Sequence, residues 1–162
     1  MDILVLHGMG VEKNWVASWE DVELIFPKYD KNNNYIVHNC IYDVPACLKS
    51  YPFDAVLMTS TFMDWVKRNP LNHKWMRQYE FLKNTSSMKI VFSQDDYWLS
   101  EIRDEFCVEY KVNLLLPVCA KDKWDELYPK YLSSGGKLEQ GYTTYVTEYM
   151  KSLKQHEILW SD

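Results

Sequence analysis

The sequence predicts an α/β three-layer sandwich, with a mainly parallel sheet of about five or six strands and helices on both faces. Three observations predict it. Short continuous apolar runs recur, such as Ile3-Leu4-Val5-Leu6 and Ala55-Val56-Leu57-Met58, and they are too apolar to leave one strand face in water. Stretches with helical spacing lie between them, so strand and helix alternate along the chain. Most of the runs end in polar residues, where open parallel sheets place their ligands. The 162 residues suffice for one compact domain with a real core and are too few for two, so residues 1–162 are read as one unit.

The elements follow in order. Ile3-Leu4-Val5-Leu6 is a buried first strand, broken by the turn His7-Gly8-Met9-Gly10. Ser18 is a helix cap, and Trp19, Val22, Ile25 and Phe26 form a helical stripe that Pro27 ends. Asn32-Asn33-Asn34 makes a turn into a second strand, Tyr35-Ile36-Val37, which leads to His38-Asn39-Cys40. Residues 44–50 make a short helix with Pro45 in its first turn. The third strand, at residues 55–58, ends in Thr59-Ser60-Thr61. Residues 62–68 are helical, Pro70 interrupts, and residues 71–83 resume with Trp75, Tyr79 and Leu82 at helical spacing.

The fourth strand is the stretch around which the chain is organised. Met88-Lys89-Ile90-Val91-Phe92 turns abruptly polar in Ser93-Gln94-Asp95-Asp96 and closes on Tyr97-Trp98. Residues 98–109 follow as a helix with Leu99, Ile102 and Phe106 on one face. Residues 113–118 form a fifth strand, and residues 123–127 a short helix. Ser133-Ser134-Gly135-Gly136 is a turn, residues 138–142 an extended segment, and residues 144–154 a final helix.

Composition excludes several classes. A net charge of −5 argues against a general nucleic-acid binder, which needs a basic face. Hydrophobic residues at 47% mark a globular chain. No apolar run approaches the ~18 residues a membrane span needs, and a strand starts too early for a signal peptide. Cys40, Cys47, Cys107 and Cys119 have no metal-ligand spacing and read as free thiols of a reducing cytosol. The cytoplasm, as far as the inner face of the membrane, is the expected location.

The polar strand ends carry the candidate chemistry. Gly8-Met9-Gly10 invites a phosphate-cradle reading, but Lys13 stands where a dinucleotide fingerprint needs its third glycine, so a structural turn is preferred. His7-Gly8 could form an oxyanion loop, yet no G-x-S-x-G elbow exists to complete a hydrolase. A phosphoacceptor receiver needs acids where this chain has His7-Gly8 and Thr59-Ser60. Asp95-Asp96 could hold a cation with His7 or His38, but adjacent side chains diverge and hard cations prefer oxygen, so no metal is expected. The competing role for Asp96 is to cap the helix beginning near Trp98, which leaves Asp95 to meet a hydroxylated ligand. His73 and His156 read as solvated, and Leu159-Trp160 as a tail that docks on the core or on a partner.

On these residues the chain resembles the N-terminal half of GT-B-type glycosyltransferases, closest to the bacterial group of surface and capsular polysaccharides. The matching stretches are Ile3-Leu4-Val5-Leu6-His7-Gly8-Met9-Gly10 and Phe53-Asp54-Ala55-Val56-Leu57 with Thr59-Ser60-Thr61-Phe62. The most specific is Lys89-Ile90-Val91-Phe92-Ser93-Gln94-Asp95-Asp96-Tyr97, similar to a K-I-x-x-x-Q-D-(D/E)-Y signature. Tyr128-Pro129 and Gly141-Tyr142 are similar to the family's closing segments. The resemblance implies a Rossmann-like, acceptor-side domain that works with a donor-binding domain absent from this sequence or with a partner chain, and it implies doubtful activity alone. It implies a nucleotide-sugar co-substrate, a glycan acceptor, and no cofactor. His7, Asp95 and Asp96 become candidate catalytic groups. Gly8, Gly10, His38, Asn39, Thr61, Gln94 and Tyr97 become candidate substrate contacts, with Trp98 or Tyr42 stacking on a sugar face. The alternative is a non-catalytic Rossmann-like binding or protein-interaction module.

Overall fold

A computed structural model describes residues 1–9, 25–69, 71 and 73–141. Five strands form one sheet: β1 (Asp2–His7), β2 (Asn34–Asn39), β3 (Ala55–Met58), β4 (Met88–Phe92) and β5 (Leu114–Leu116). The order is β2-β1-β3-β4-β5 and every pair is parallel. The expected α/β sandwich with a parallel sheet is therefore the observed fold. The strand order reverses between β1 and β3, and this is the position at which open α/β sheets gather ligands beyond their C-terminal ends.

The apolar strand runs explain the burial. Both faces of β3 are buried at all four positions, as is β1 from Ile3 onward. Alternation sends Leu4, Leu6, Val56, Met58, Val91 and Leu115 to the larger core. There they meet α3 (Ser60–Arg68), α6 (Ser100–Glu109), and α8 (Pro129–Ser133) through Phe62, Met63, Val66, Phe106 and Tyr131. The other face carries Ile3, Val5, Ala55 and Leu57, with Phe26 of α1 (Ile25–Tyr29) packed against Phe92 at 5.4 Å between ring centroids. The cap expected at Ser18, most of the stripe after it, Gly10, and the final helix at residues 144–154 lie outside the described residues, as do His156 and Leu159-Trp160.

The helices differ from expectation where tertiary contacts override spacing. The short helix after β2 is α2 (Ala46–Ser50). The single helix expected over residues 71–83 is two, α4 (Lys74–Arg77) and α5 (Phe81–Asn84). Between them the Tyr79 and Glu80 amides bond back three residues, to Met76 and Arg77. That tighter turn leaves Tyr79 wholly buried and lets Gln78 accept the Val44 amide at 2.8 Å.

After β5 comes a 3₁₀ turn (Lys121–Lys123), then α7 (Trp124–Leu127) and α8. The sequence reading did not include α8. Pro129 opens it, and the buried Asp104 of α6 accepts its first amides, Lys130 at 3.0 Å and Tyr131 at 2.8 Å. Of the extended segment expected after it, Leu138 forms a parallel bridge to Leu115. No helix among the described residues is long and apolar enough to cross a membrane.

Candidate functional site

The C-terminal edge of the sheet holds two neighbouring clusters. The first lies at the reversal between β1 and β3. The Gly8 amide donates to Thr61 Oγ1 at 2.9 Å, and Trp65 Nε1 donates back to the Gly8 carbonyl at 3.0 Å. A Cβ on Gly8 would sit 2.3 Å from Trp65 and 2.6 Å from the Thr61 carbonyl. Gly8 is thus a close-approach glycine whose amide is already used, in line with a structural turn and against a phosphate cradle. Asn39 Nδ2 donates to the Met9 carbonyl at 2.6 Å, tying β2 to the same turn.

The two histidines of this edge are interior. His7 is 4% exposed, and burial, with the nearby His38, lowers its imidazole to about 4. His38 is buried as well, its Nε2 3.5 Å from the Tyr79 hydroxyl, and burial lowers its pKa. The proposed catalytic His7 and ligand-contacting His38 are therefore neutral groups packed inside the sheet's edge, and neither lines the cavity described next.

The second cluster follows β4. Asp96 was expected to cap the next helix or to act as a base. The structure corrects the first. Helix α6 begins at Ser100 with Leu99 in the cap position, and Asp96 has no part in it. The Asp96 carboxylate is 1% exposed and accepts from five donors. The Ser93 and Tyr128 hydroxyls and Arg103 Nη1 bond one oxygen, and the Val118 and Cys119 amides, each at 2.8 Å, bond the other. Burial alone would push this carboxyl up, but the two hydroxyls, the Arg103 charge and the Cys119 amide outweigh it and hold its pKa below the ordinary value. A carboxylate so fully occupied has no lone pair left for a substrate proton. It is the joint that fastens β4, α6, the loop after β5, and Tyr128 together.

Asp95 has the opposite fate. It is exposed, with φ of 51° in the left-handed region, and its carboxylate has no partner among the described residues. Left-handed backbone is tolerated by Asp better than by most residues, and it aims neighbouring side chains in different directions. Leu99, at φ 50°, is the second left-handed residue of this turn. Between the two, Tyr97 and Trp98 stand 65% and 44% exposed around the buried Asp96. Beside them opens a cavity of about 270 Å³ lined by Gln94, Asp95, Asp96, Tyr97, Val118 and Cys119. Gln94 is exposed, and the Ser60 hydroxyl donates to its Oε1 at 3.4 Å, which links the second cluster to the start of α3.

The structure thus brings Gln94, Asp95 and Tyr97 together as an accessible rim and engages Gly8, Asn39, Thr61 and Asp96 within the fold. Sequence reasoning missed Arg103, Tyr128, Val118 and Cys119 as the cavity's support. The one signal in the chain was a charged arginine within an amphipathic helix, at a position that turns out to be fully buried. Cys119 borders the cavity, but burial and then the Asp96 charge push its thiol up to about 11, so it is no ready nucleophile. Tyr42, the other stacking candidate, is 55% exposed but does not line the cavity. Among the described residues, no group of three or more His, Cys, Asp or Glu side chains is placed to hold a metal ion. No family model, curated protein or solved structure matches this chain.

Proposed function

We propose that the chain is the acceptor-side domain of a GT-B-like glycosyltransferase, which transfers a sugar from a nucleotide-sugar donor to a glycan or glycoconjugate acceptor. The observation that carries this reading is the accessible rim at the C-terminal edge of the sheet. Asp95, a carboxylate with no partner among the described residues, stands with the Gln94 amide and the Tyr97 ring beside an open cavity. Carboxylate, amide and aromatic ring are the groups that hold sugar hydroxyls and the apolar face of a sugar ring.

In this reading the acceptor hydroxyl lies against Asp95. Its oxygen forms a bond to the anomeric carbon of the donor as the bond from that carbon to the nucleotide phosphate breaks, and the hydroxyl proton passes to the Asp95 carboxylate. Gln94 and Tyr97 orient the acceptor, and Trp98 extends the platform. Asp96 and Arg103 hold the rim in place and take no proton. The donor half is supplied by another domain or another chain.

The experiment is transfer from nucleotide sugars by the assembled enzyme with wild-type and Asp95→Asn chains. A loss of roughly two or more orders of magnitude in rate is expected for a general base, and unchanged turnover removes Asp95 from the role. A second reading, a binding module that holds a glycan without reacting, is favoured by the internal engagement of His7, Asn39, Thr61 and Asp96. Saturable glycan binding at residues 94–98 without transfer under any donor supports that reading.

A further inference from the structure

The charges around the rim are unevenly placed. The Asp95 carboxylate has no partner among the described residues, and it borders the cavity. The cations around the rim do not line the cavity, and Lys121 sits instead over the Trp124 ring, 5.5 Å from its centroid. Lys67 Nζ is buried beneath the Trp98 ring, 4.5 Å from its centroid, and pairs with Asp64 at 2.8 Å. Lys123, close enough to Tyr97 for the phenol to act on its charge, pairs with Glu126 at 3.2 Å. Arg68 lies 6.0 Å from the Trp98 ring, and like the lysines it does not line the cavity. The second carboxylate in the wall, Asp96, is matched by Arg103 at 2.8 Å. Among the described residues that line the cavity, Asp95 is therefore the one charged group not matched by an opposite charge.

We infer that the rim at residues 94–98 selects its sugar by charge. It accepts a residue that is neutral or carries an amine, and it rejects one bearing a carboxylate or phosphate. This rests on the proposed glycan reading and narrows it to a class of acceptor. A ligand anion 4–5 Å from Asp95 is disfavoured by Coulomb repulsion that water only partly screens. An ammonium gains from the same carboxylate and from the Tyr97 ring face. Asp96, held by five donors, keeps the rim in one geometry, so an acidic sugar cannot be accommodated by moving the carboxylate's backbone away.

The test uses three ring-matched probes: methyl glucoside, methyl glucosaminide with its free amine, and methyl glucuronide. Each is titrated into the labelled chain, and the amides of residues 94–98 are followed by NMR. The glucoside and glucosaminide are expected to shift these amides, with the glucuronide on the order of tenfold weaker at low salt. Added salt should shrink that gap, and Asp95→Asn should close it while the fold stays intact, because Asn also suits left-handed backbone. A glucuronide that binds as tightly as the glucoside overturns the charge selection and leaves the glycan reading standing. So does a gap that survives Asp95→Asn. If none of the three probes shifts residues 94–98, the selection and the glycan reading of this rim fall together.

Discussion

Asp96 Oδ1 and Arg103 Nη1 meet at 2.8 Å with neither side chain reaching solvent. Such a pair is costly to bury and more costly to break, because the surviving charge is left without a partner. Asp96→Ala is expected to destabilise the chain by roughly 3–5 kcal/mol, as measured by urea unfolding. The neighbouring substitution Asp95→Asn should stay within about 0.5 kcal/mol of wild type, as an exposed change with no lost contact does. A large loss at Asp95 would mean that its carboxylate is structural after all.

Acid should expose the same carboxylate. The Asp96 pKa is held below its ordinary value in the fold, so its contribution to stability is present above the unfolded value and is lost as pH falls through the folded one. Below about pH 4 the wild-type chain should therefore lose stability faster than Asp96→Asn, which has nothing left to protonate. Parallel curves for the two chains would show that the Asp96 pair does not set the acid limit.

His7 predicts a separate and milder window. Its pKa is lowered from 6.5 to about 4 by burial and by His38. Between those values the unfolded chain binds the proton and the folded chain does not, so stability falls as pH drops from 6.5 toward 4. The full shift corresponds to about 3 kcal/mol. His38, lowered in the same direction, adds to the slope. His7→Gln should flatten the stability profile through this window, and a profile that keeps its slope would place the titration elsewhere.

Gly8 is a packing constraint with a direct assay. The side chain of Gly8→Ala would meet Trp65 at 2.3 Å and the Thr61 backbone at 2.6 Å. A loss of about 1–3 kcal/mol is expected from the overpacking. Trp65→Leu in the same chain should recover only part of it, since the Thr61 carbonyl remains. Complete recovery would assign the whole clash to the indole.

The sheet was legible because strand burial is written locally. Ala55-Val56-Leu57-Met58 is buried on both faces and reads as such from four letters. The break within residues 71–83 was not legible, because helical spacing of Trp75, Tyr79 and Leu82 is satisfied equally by one helix or two. The turn is fixed by Gln78 reaching the Val44 amide, 34 residues away in sequence. The site shows the same limit more sharply. Asp95 and Asp96 are identical letters side by side, and the prospect that only one would be free was readable from their adjacency. The sequence freed Asp95 by making Asp96 a helix cap, but the groups that actually claim Asp96 were not readable, since they lie up to 32 residues on, at Val118, Cys119 and Tyr128.

The left-handed backbone at Asp95 and Leu99 has one further consequence. Glycine would relieve a steric cost on the order of 1–2 kcal/mol at Leu99 and a smaller one at Asp95, since Asp tolerates this backbone better. An engineer optimising heat resistance would make that exchange first. At Leu99 it removes a half-buried side chain beside the rim. At Asp95 it deletes the carboxylate on which the proposed chemistry and selectivity both depend. The thermostabilising exchange at Asp95 is therefore one expected to leave the scaffold a little sturdier and the rim without its charge.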